Sequence, residues 1–213
     1  MKVAQMLSSN PMQAGGDWLS ERAGCATASR MRDLLDFRKD GKPGAKRIQY
    51  MKELVAERMT GNSVHHYVNQ AMADGIEREP FARELYEETS GNTIVLCGFF
   101  QHPTIEFAGA SPDGLIDQDG LIEIKCPTAP TFVDWLITGN VPDEHLAQMT
   151  FQLACTRRRY VDFVAYNPEM IDGTKRLFVR RFEPNAGLIA TLEDSVREFL
   201  AEVDGLFDQV MRS

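Results

Sequence analysis

The sequence predicts an α/β domain with a mixed central β-sheet flanked by helices. Three observations lead there. Several helical patterns come first, between residues 17 and 88, a cluster of short β-patterned runs follows between 93 and 125, and helix and strand patterns come again after it. Residues 1–16, with Ser, Asn, Pro and a Gly-Gly pair, read as a loose lead-in. A short helix spans 17–24, and Thr27 or Ser29 caps a second that runs through Met31, Leu34 and Leu35. A basic loop at 38–47 precedes a helix over 49–59, with Leu54 and Val55 turned to the core.

Residues 64–73 are helical and Asp74-Gly75 breaks the pattern. The next helix reaches Glu88, with Pro80 in its first turn, where a missing N–H costs little. Strands are expected at 93–100, 107–110, 115–117 and 121–125, the last two closed into a hairpin by the turn 117–120. A helix over 131–138 stops at Gly139, and Pro142-Asp143 opens another that aligns Leu146, Met149 and Leu153. Strands at 160–166 and 177–182 follow. The last helix, 184–211, is amphipathic: Leu188, Leu192, Val196, Phe199, Val203, Leu206 and Val210 form a stripe opposite an acidic face. That stripe suits core or subunit contact. One domain over 1–213 is expected, large enough to bury a core without disulfides.

Bulk properties exclude several classes. Cysteines stand at 25, 97, 126 and 155 with no C-x-x-C pair, which argues against zinc and iron–sulfur sites and for reduced thiols filling core space. No apolar run approaches the roughly 18 residues of a membrane helix. The N-terminus lacks a signal pattern, so no membrane partner and a cytoplasmic location are expected. The net charge of −8 argues against a uniformly basic nucleic-acid surface. Its distribution is uneven: 18–60 holds ten bases and six acids, whereas 183–213 holds seven acids and two bases. Any contact with nucleic acid is therefore expected from a local basic lining, and the loop 38–47 is the first candidate.

The chemistry concentrates in Ser111-Pro112-Asp113-Gly114 and in Glu123-Ile124-Lys125. Strand alternation puts Leu121, Glu123 and Lys125 on one face and Ile122 and Ile124 on the other. Asp113, at the bend into the preceding strand, can fold back beside Glu123. A Glu-x-Lys pair alone is usually a solvated ion pair, and Ser-Pro-Asp-Gly alone is usually a turn. Together, over an apolar opposite face, they are more specific. Phosphodiester cleavage needs hard-oxygen ligands for Mg²⁺, an activated water and a cation near the phosphate. Asp113, Glu123 and Lys125 supply those parts.

Pro112-Asp113 with Glu123-Ile124-Lys125 resembles the PD-(D/E)xK signature of restriction-endonuclease-like nucleases. The longer string SPDGLI…GLIEIKCP resembles the phage lambda exonuclease family, the viral-recombinase-type alkaline exonucleases. Further blocks resemble it in order: Trp18…Arg22-Ala-Gly-Cys-Ala-Thr27-Ala-Ser29, Gly75-Ile-Glu-Arg-Glu79 with Glu88-Thr-Ser-Gly91, and Ala147-Gln148 with Thr156-Arg157. The resemblance implies a restriction-endonuclease-like core in which Asp113, Glu123 and the Ile124 carbonyl hold Mg²⁺. Two ions are expected, with Mn²⁺ as a substitute. It implies that Lys125 activates or positions the attacking water, and that Glu79 assists at the metal as a further candidate ligand. Arg22, Thr27 and Ser29 would grip a 5′-phosphate, a role that suits a guanidinium fork and hydroxyls at a helix start. Met72 matches an apolar wedge, and Gln148 a glutamine-helix position. Gln152 stands where a Q-x-x-x-Y element of related nucleases has tyrosine.

The implied activity is processive 5′→3′ digestion of linear double-stranded DNA, leaving 3′ single strands for recombination by annealing. The implied setting is a phage or prophage protein in the host cytosol, a homotrimer ring working with a phage single-strand annealing protein. The alternatives are a structure-specific or restriction-type endonuclease on the same fold, or a non-catalytic DNA-binding relic. The end-phosphate block argues against the first. Retention of Glu79, Asp113, Glu123 and Lys125 together argues against the second.

Overall fold

The computed structural model describes residues 9–13, 16–64 and 70–213, apart from the side chains of residues 16 and 70–72. In chain order the elements are α1 (Gly16–Arg22), β1 (Ala26–Thr27), α2 (Met31–Leu34), α3 (Ala45–Thr60) and α4 (Gln70–Ser90). Then come β2 (Ile94–Val95), β3 (Phe100–Gln101), β4 (Ala108–Ala110), β5 (Gly114–Ile116) and β6 (Gly120–Lys125). The chain closes with α5 (Ala129–Thr138), α6 (Asp143–Thr156), β7 (Tyr160–Tyr166), β8 (Leu177–Phe182) and α7 (Ala186–Arg212).

The larger sheet has the order β2-β5-β6-β7-β8, and only β6–β7 is parallel. This is the mixed sheet flanked by helices that the sequence predicts. A second sheet, β1-β4-β3, was not expected. The run 93–100, expected as one strand, divides between the two: β2 joins β5, and β3 joins β4. Between them the Cys97 carbonyl accepts from Asn10 Nδ2 at 2.9 Å and Gln13 Nε2 at 3.0 Å, side chains rather than a neighbouring strand. Asn10 and Gln13 are buried. Residues 10–13 are thus pinned to the fold, not loose; residues 1–8 and 14–15 of the lead-in lie outside the described residues.

Helix α4 runs unbroken through Asp74-Gly75 and carries Pro80 in its interior, not its first turn. A helical glycine costs only about 1 kcal/mol against alanine. The packing of Ala82 and Tyr86 against Ile116, Ile122 and Val164 outweighs it. Strand β6 lies at the centre of the larger sheet. Leu121 enters a core with Phe132, Trp135 and Met149, while Ile122 and Ile124 enter the opposite core beneath α4. Glu123 and Lys125 share the Leu121 side, as the alternation predicts. The hairpin turn is closed from outside: Arg158 Nη1 donates to the carbonyls of Ile116, Asp117 and Gly120 at 3.1, 3.0 and 2.8 Å.

Helix α6 is buried without interruption from Met149 to Cys155 because it serves two cores. Phe151, Ala154 and Cys155 pack with α3 and α7 residues, whereas Met149 and Leu153 pack under the sheet. Helix α7 lies against α3 by Leu192, Val196, Phe199 and Val203, while Leu188 and Val210 at the ends of the stripe are exposed. Arg47, expected in the basic loop, is in fact 1% exposed. It stacks on Phe37 and Phe199, donates to the Leu34 carbonyl and meets Glu202 at 2.9 Å. Arg58 pairs with Asp204 at 2.5 Å. The basic and acidic ends of the sequence therefore partly neutralise one another within the molecule.

Candidate active site

Strand β5 begins at Gly114, opposite Ile122. The position needs glycine: a Cβ there would lie 2.3 Å from Ile94 Cγ2 and 3.2 Å from Ile122 Cγ2. Beyond Ile122 the β5 side of β6 has no strand partner, and Asp113 takes that place. Its Oδ2 accepts from the Ile124 N–H at 2.6 Å. A strand residue sends its N–H and C=O to the same side, so the Ile124 carbonyl faces the bend that carries Asp113. Behind the bend, the Pro112 carbonyl accepts from Gln13 Nε2 at 2.7 Å.

Glu123 is 1% exposed and held at both oxygens. Oε1 takes Lys125 Nζ at 2.5 Å and Gln148 Nε2 at 2.7 Å; Oε2 takes Gln152 Nε2 at 2.6 Å. Hydrogen bonds to a charged group contribute about 1.5–3 kcal/mol each, so this carboxylate is fixed in place. Glu79 comes from α4 and pairs with Arg83 at 2.8 Å.

The electrostatics follow from three acids and one lysine near enough to feel one another's charge. Burial, then the charges of Glu123 and Glu79, push the Asp113 carboxyl well above its ordinary 3.8. Burial raises the Glu79 carboxyl too; Arg83 opposes the rise and Glu123 adds to it. For Lys125, burial works against the charge, yet Glu123 and then Asp113 outweigh it, and the ammonium is favoured. Lys125 thus stands as a hydrogen-bond donor to Glu123 in this cluster.

Among the described residues, no three of His, Cys, Asp and Glu make a metal cage by themselves. The candidate set is instead two carboxylates, Asp113 and Glu123, and one backbone carbonyl, Ile124. Such hard oxygens, with positions left for water, suit Mg²⁺. The excess of buried negative charge also favours a divalent cation.

Arg22, Thr27 and Ser29 line one cleft of about 410 Å³ together with Asp113, Glu123 and Lys125. The Arg22 guanidinium lies 4.3 Å over the Trp18 ring and donates to Ser111 Oγ at 3.1 Å, and Trp18 Nε1 donates to the same hydroxyl at 2.9 Å. Burial lowers the Arg22 pKa, the cost of holding that charge away from water. Thr27 precedes a one-turn helix, but its side chain makes no cap bond; the hydroxyl lies 3.4 Å from Ser29 Oγ. Its N–H is used by the Tyr50 hydroxyl at 2.9 Å. The turn before it needs Gly24, at φ +75° with Arg58 Cγ 2.6 Å from where a Cβ would sit.

Met72 lies within α4, but its side chain is outside the described residues. Gln148 and Gln152 both reach Glu123, so the position that departs from tyrosine belongs to the cluster. Ser111 and Gln13 were missed as supports of Arg22 and of the Asp113 bend. The only signal for Ser111 is its place two residues before Asp113, and Gln13 carries none.

The chain matches the YqaJ-like viral recombinase domain over residues 17–159. It is similar, at 39% identity, to an alkaline exonuclease (LHK-Exo) of Laribacter hongkongensis, over 93% of this chain and 97% of that one, with a TM-score of 0.85. LHK-Exo in complex with dAMP matches over the same shares, at 39% identity and a TM-score of 0.86. A phage-related exonuclease from Haemophilus somnus 129PT shares the fold, at 16% identity over 88% of this chain and 95% of that one, TM-score 0.63. Among curated proteins nothing matches.

Proposed function

The chain belongs to the YqaJ-like viral recombinase family and is a deoxyribonuclease with an exonuclease role, and from that premise we propose that it digests linear double-stranded DNA 5′→3′ from phosphorylated ends. The observation that carries this reading is the shared cleft, in which Arg22, Thr27 and Ser29 stand with Asp113, Glu123 and Lys125. An enzyme that cuts internally has no use for an end-phosphate grip beside its cutting residues.

In this reading Asp113, Glu123 and the Ile124 carbonyl hold Mg²⁺, with Mn²⁺ as substitute. The bound cation supplies charge stabilisation at the phosphate and an acidified water. Gln148 and Gln152 keep Glu123 oriented. Lys125, as an ammonium, positions the attacking water and steadies charge that develops on the phosphate. Glu79, whose proton affinity is raised, assists at the water. Arg22 holds the terminal phosphate while Thr27 and Ser29 add hydroxyl donors. Processivity, two metal ions, a ring of three copies, a wedge at Met72, a partner annealing protein and a role in phage-type recombination in a bacterial cytosol are proposed on kinship with the lambda exonuclease family.

The test compares linear duplexes with and without a 5′-phosphate in Mg²⁺. Mononucleotides and a long 3′ single strand are expected from phosphorylated ends. Rapid digestion of closed circular duplex would overturn the reading. Arg22→Ala is expected to lower kcat/KM on phosphorylated ends by about 10–100-fold, the worth of a charge-assisted hydrogen bond. The rate on 5′-hydroxyl ends should hardly move. Equal losses on both would remove Arg22 from the grip.

A further inference from the structure

We propose that Gln152 is a positioning residue that fixes Glu123 for the divalent cation, so that loss of its amide weakens metal binding without unfolding the chain. The inference rests on the reading of Glu123 as a metal-holding carboxylate. Gln152 is 1% exposed on the stretch of α6 that serves two cores. A carboxylate only accepts, so the amide must turn Nε2 toward Glu123 Oε2, as it does at 2.6 Å. Its own Oε1 is then buried with no hydrogen-bond partner. A buried polar atom in that state is uncommon and costly. Its helix neighbours Phe151 and Leu153 go to two different cores, and Gln152 alone of the three turns to the cleft that holds Glu123. The return for the amide lies at Glu123.

That return is orientation. Lys125 and Gln148 both pull on Oε1, from the strand and from the preceding turn of α6. Gln152 alone, among the hydrogen bonds of the described residues, holds Oε2. With both oxygens fixed, the carboxylate meets an incoming cation without giving up rotamer freedom at that moment. Gln148 can be reached from the cleft together with Gln152, yet only Gln152 is sealed on its far side by core, which makes it the fixed end of the clamp.

The experiment measures Mn²⁺ binding by calorimetry on the metal-free full-length chain, as parent, Gln152→Met and Gln152→Asn. The first variant keeps volume and removes the donor; the second keeps an amide too short to reach. Thermal melts and circular dichroism in EDTA accompany both. Expected is a loss of affinity of about 10–100-fold for either variant that melts cooperatively. The Mg²⁺ concentration for half-maximal nuclease rate should rise by a similar factor, with KM for DNA within about twofold of parent. A merely structural role would lower the active fraction and leave metal affinity alone, and affinity within twofold of parent in a folded variant overturns the inference. A parent that binds no Mn²⁺ overturns the metal reading itself, a separate result from a parent that binds and a variant that binds equally.

Discussion

Asp113→Asn is expected to abolish exonuclease activity and, in EDTA at pH 8, to raise the melting temperature. The rate should fall by about three orders of magnitude or more, since the metal contributes several kcal/mol to the transition state. The stability gain follows from the raised proton affinity of Asp113. The folded chain holds that proton more tightly than the unfolded chain does. Stability is therefore lost as pH climbs from 3.8 through the raised value, and the loss is complete above it. Asparagine has no charge to bury, and its carbonyl can still accept from the Ile124 N–H. For a chain of this size each kcal/mol regained is worth about 2–4 °C. Mg²⁺ should reverse the order, stabilising the parent and not the variant. A variant that melts below the parent in EDTA, or that gains equally from Mg²⁺, would contradict this account.

Lys125→Ala is expected to move the metal-free protein the other way while also disabling it. Lys125 is the cation that faces Glu123 at 2.5 Å, and its charge also bears on Asp113. Without it the cluster keeps its acids and loses their counter-charge, so the melting temperature in EDTA should fall. The fall in kcat should be on the order of 10²–10³, the usual cost of one donor aimed at developing charge, with KM for DNA little changed. Digestion at the parent rate would take Lys125 out of the chemistry.

The parts of this site legible in the sequence are those fixed by local geometry. Period-two alternation put Glu123 and Lys125 on one face of β6 and Ile122 and Ile124 on the other, and the turn residues gave the hairpin. What stayed hidden depends on distant packing. Gln152 looked like a departure from a pattern because nothing in a helical repeat says that a second core covers the helix from behind. Arg47 looked like part of a basic loop, yet α7, more than a hundred residues on, supplies the ring and the acid that bury it. The break at Asp74-Gly75 failed for a related reason: local propensity there is weak, and the contact of α4 with the sheet decides. The run 93–100 reads as one strand, yet Gly98 lies between β2 and β3 and is the one local mark of the point where the chain leaves one sheet for another.

Ser111 has a consequence beyond holding Arg22. Its hydroxyl fixes the guanidinium, and two residues later the same stretch of backbone delivers Asp113. Two residues of chain reach at most about 7 Å, and Gln13 braces the Pro112 between them. On the proposed reading, the part that seizes a strand end and the part that cuts it are mounted on one short bracket. The interval between them is then a gauge set by covalent geometry rather than by loop motion. An enzyme built this way takes a fixed bite from the end of a strand, whatever bases that strand carries.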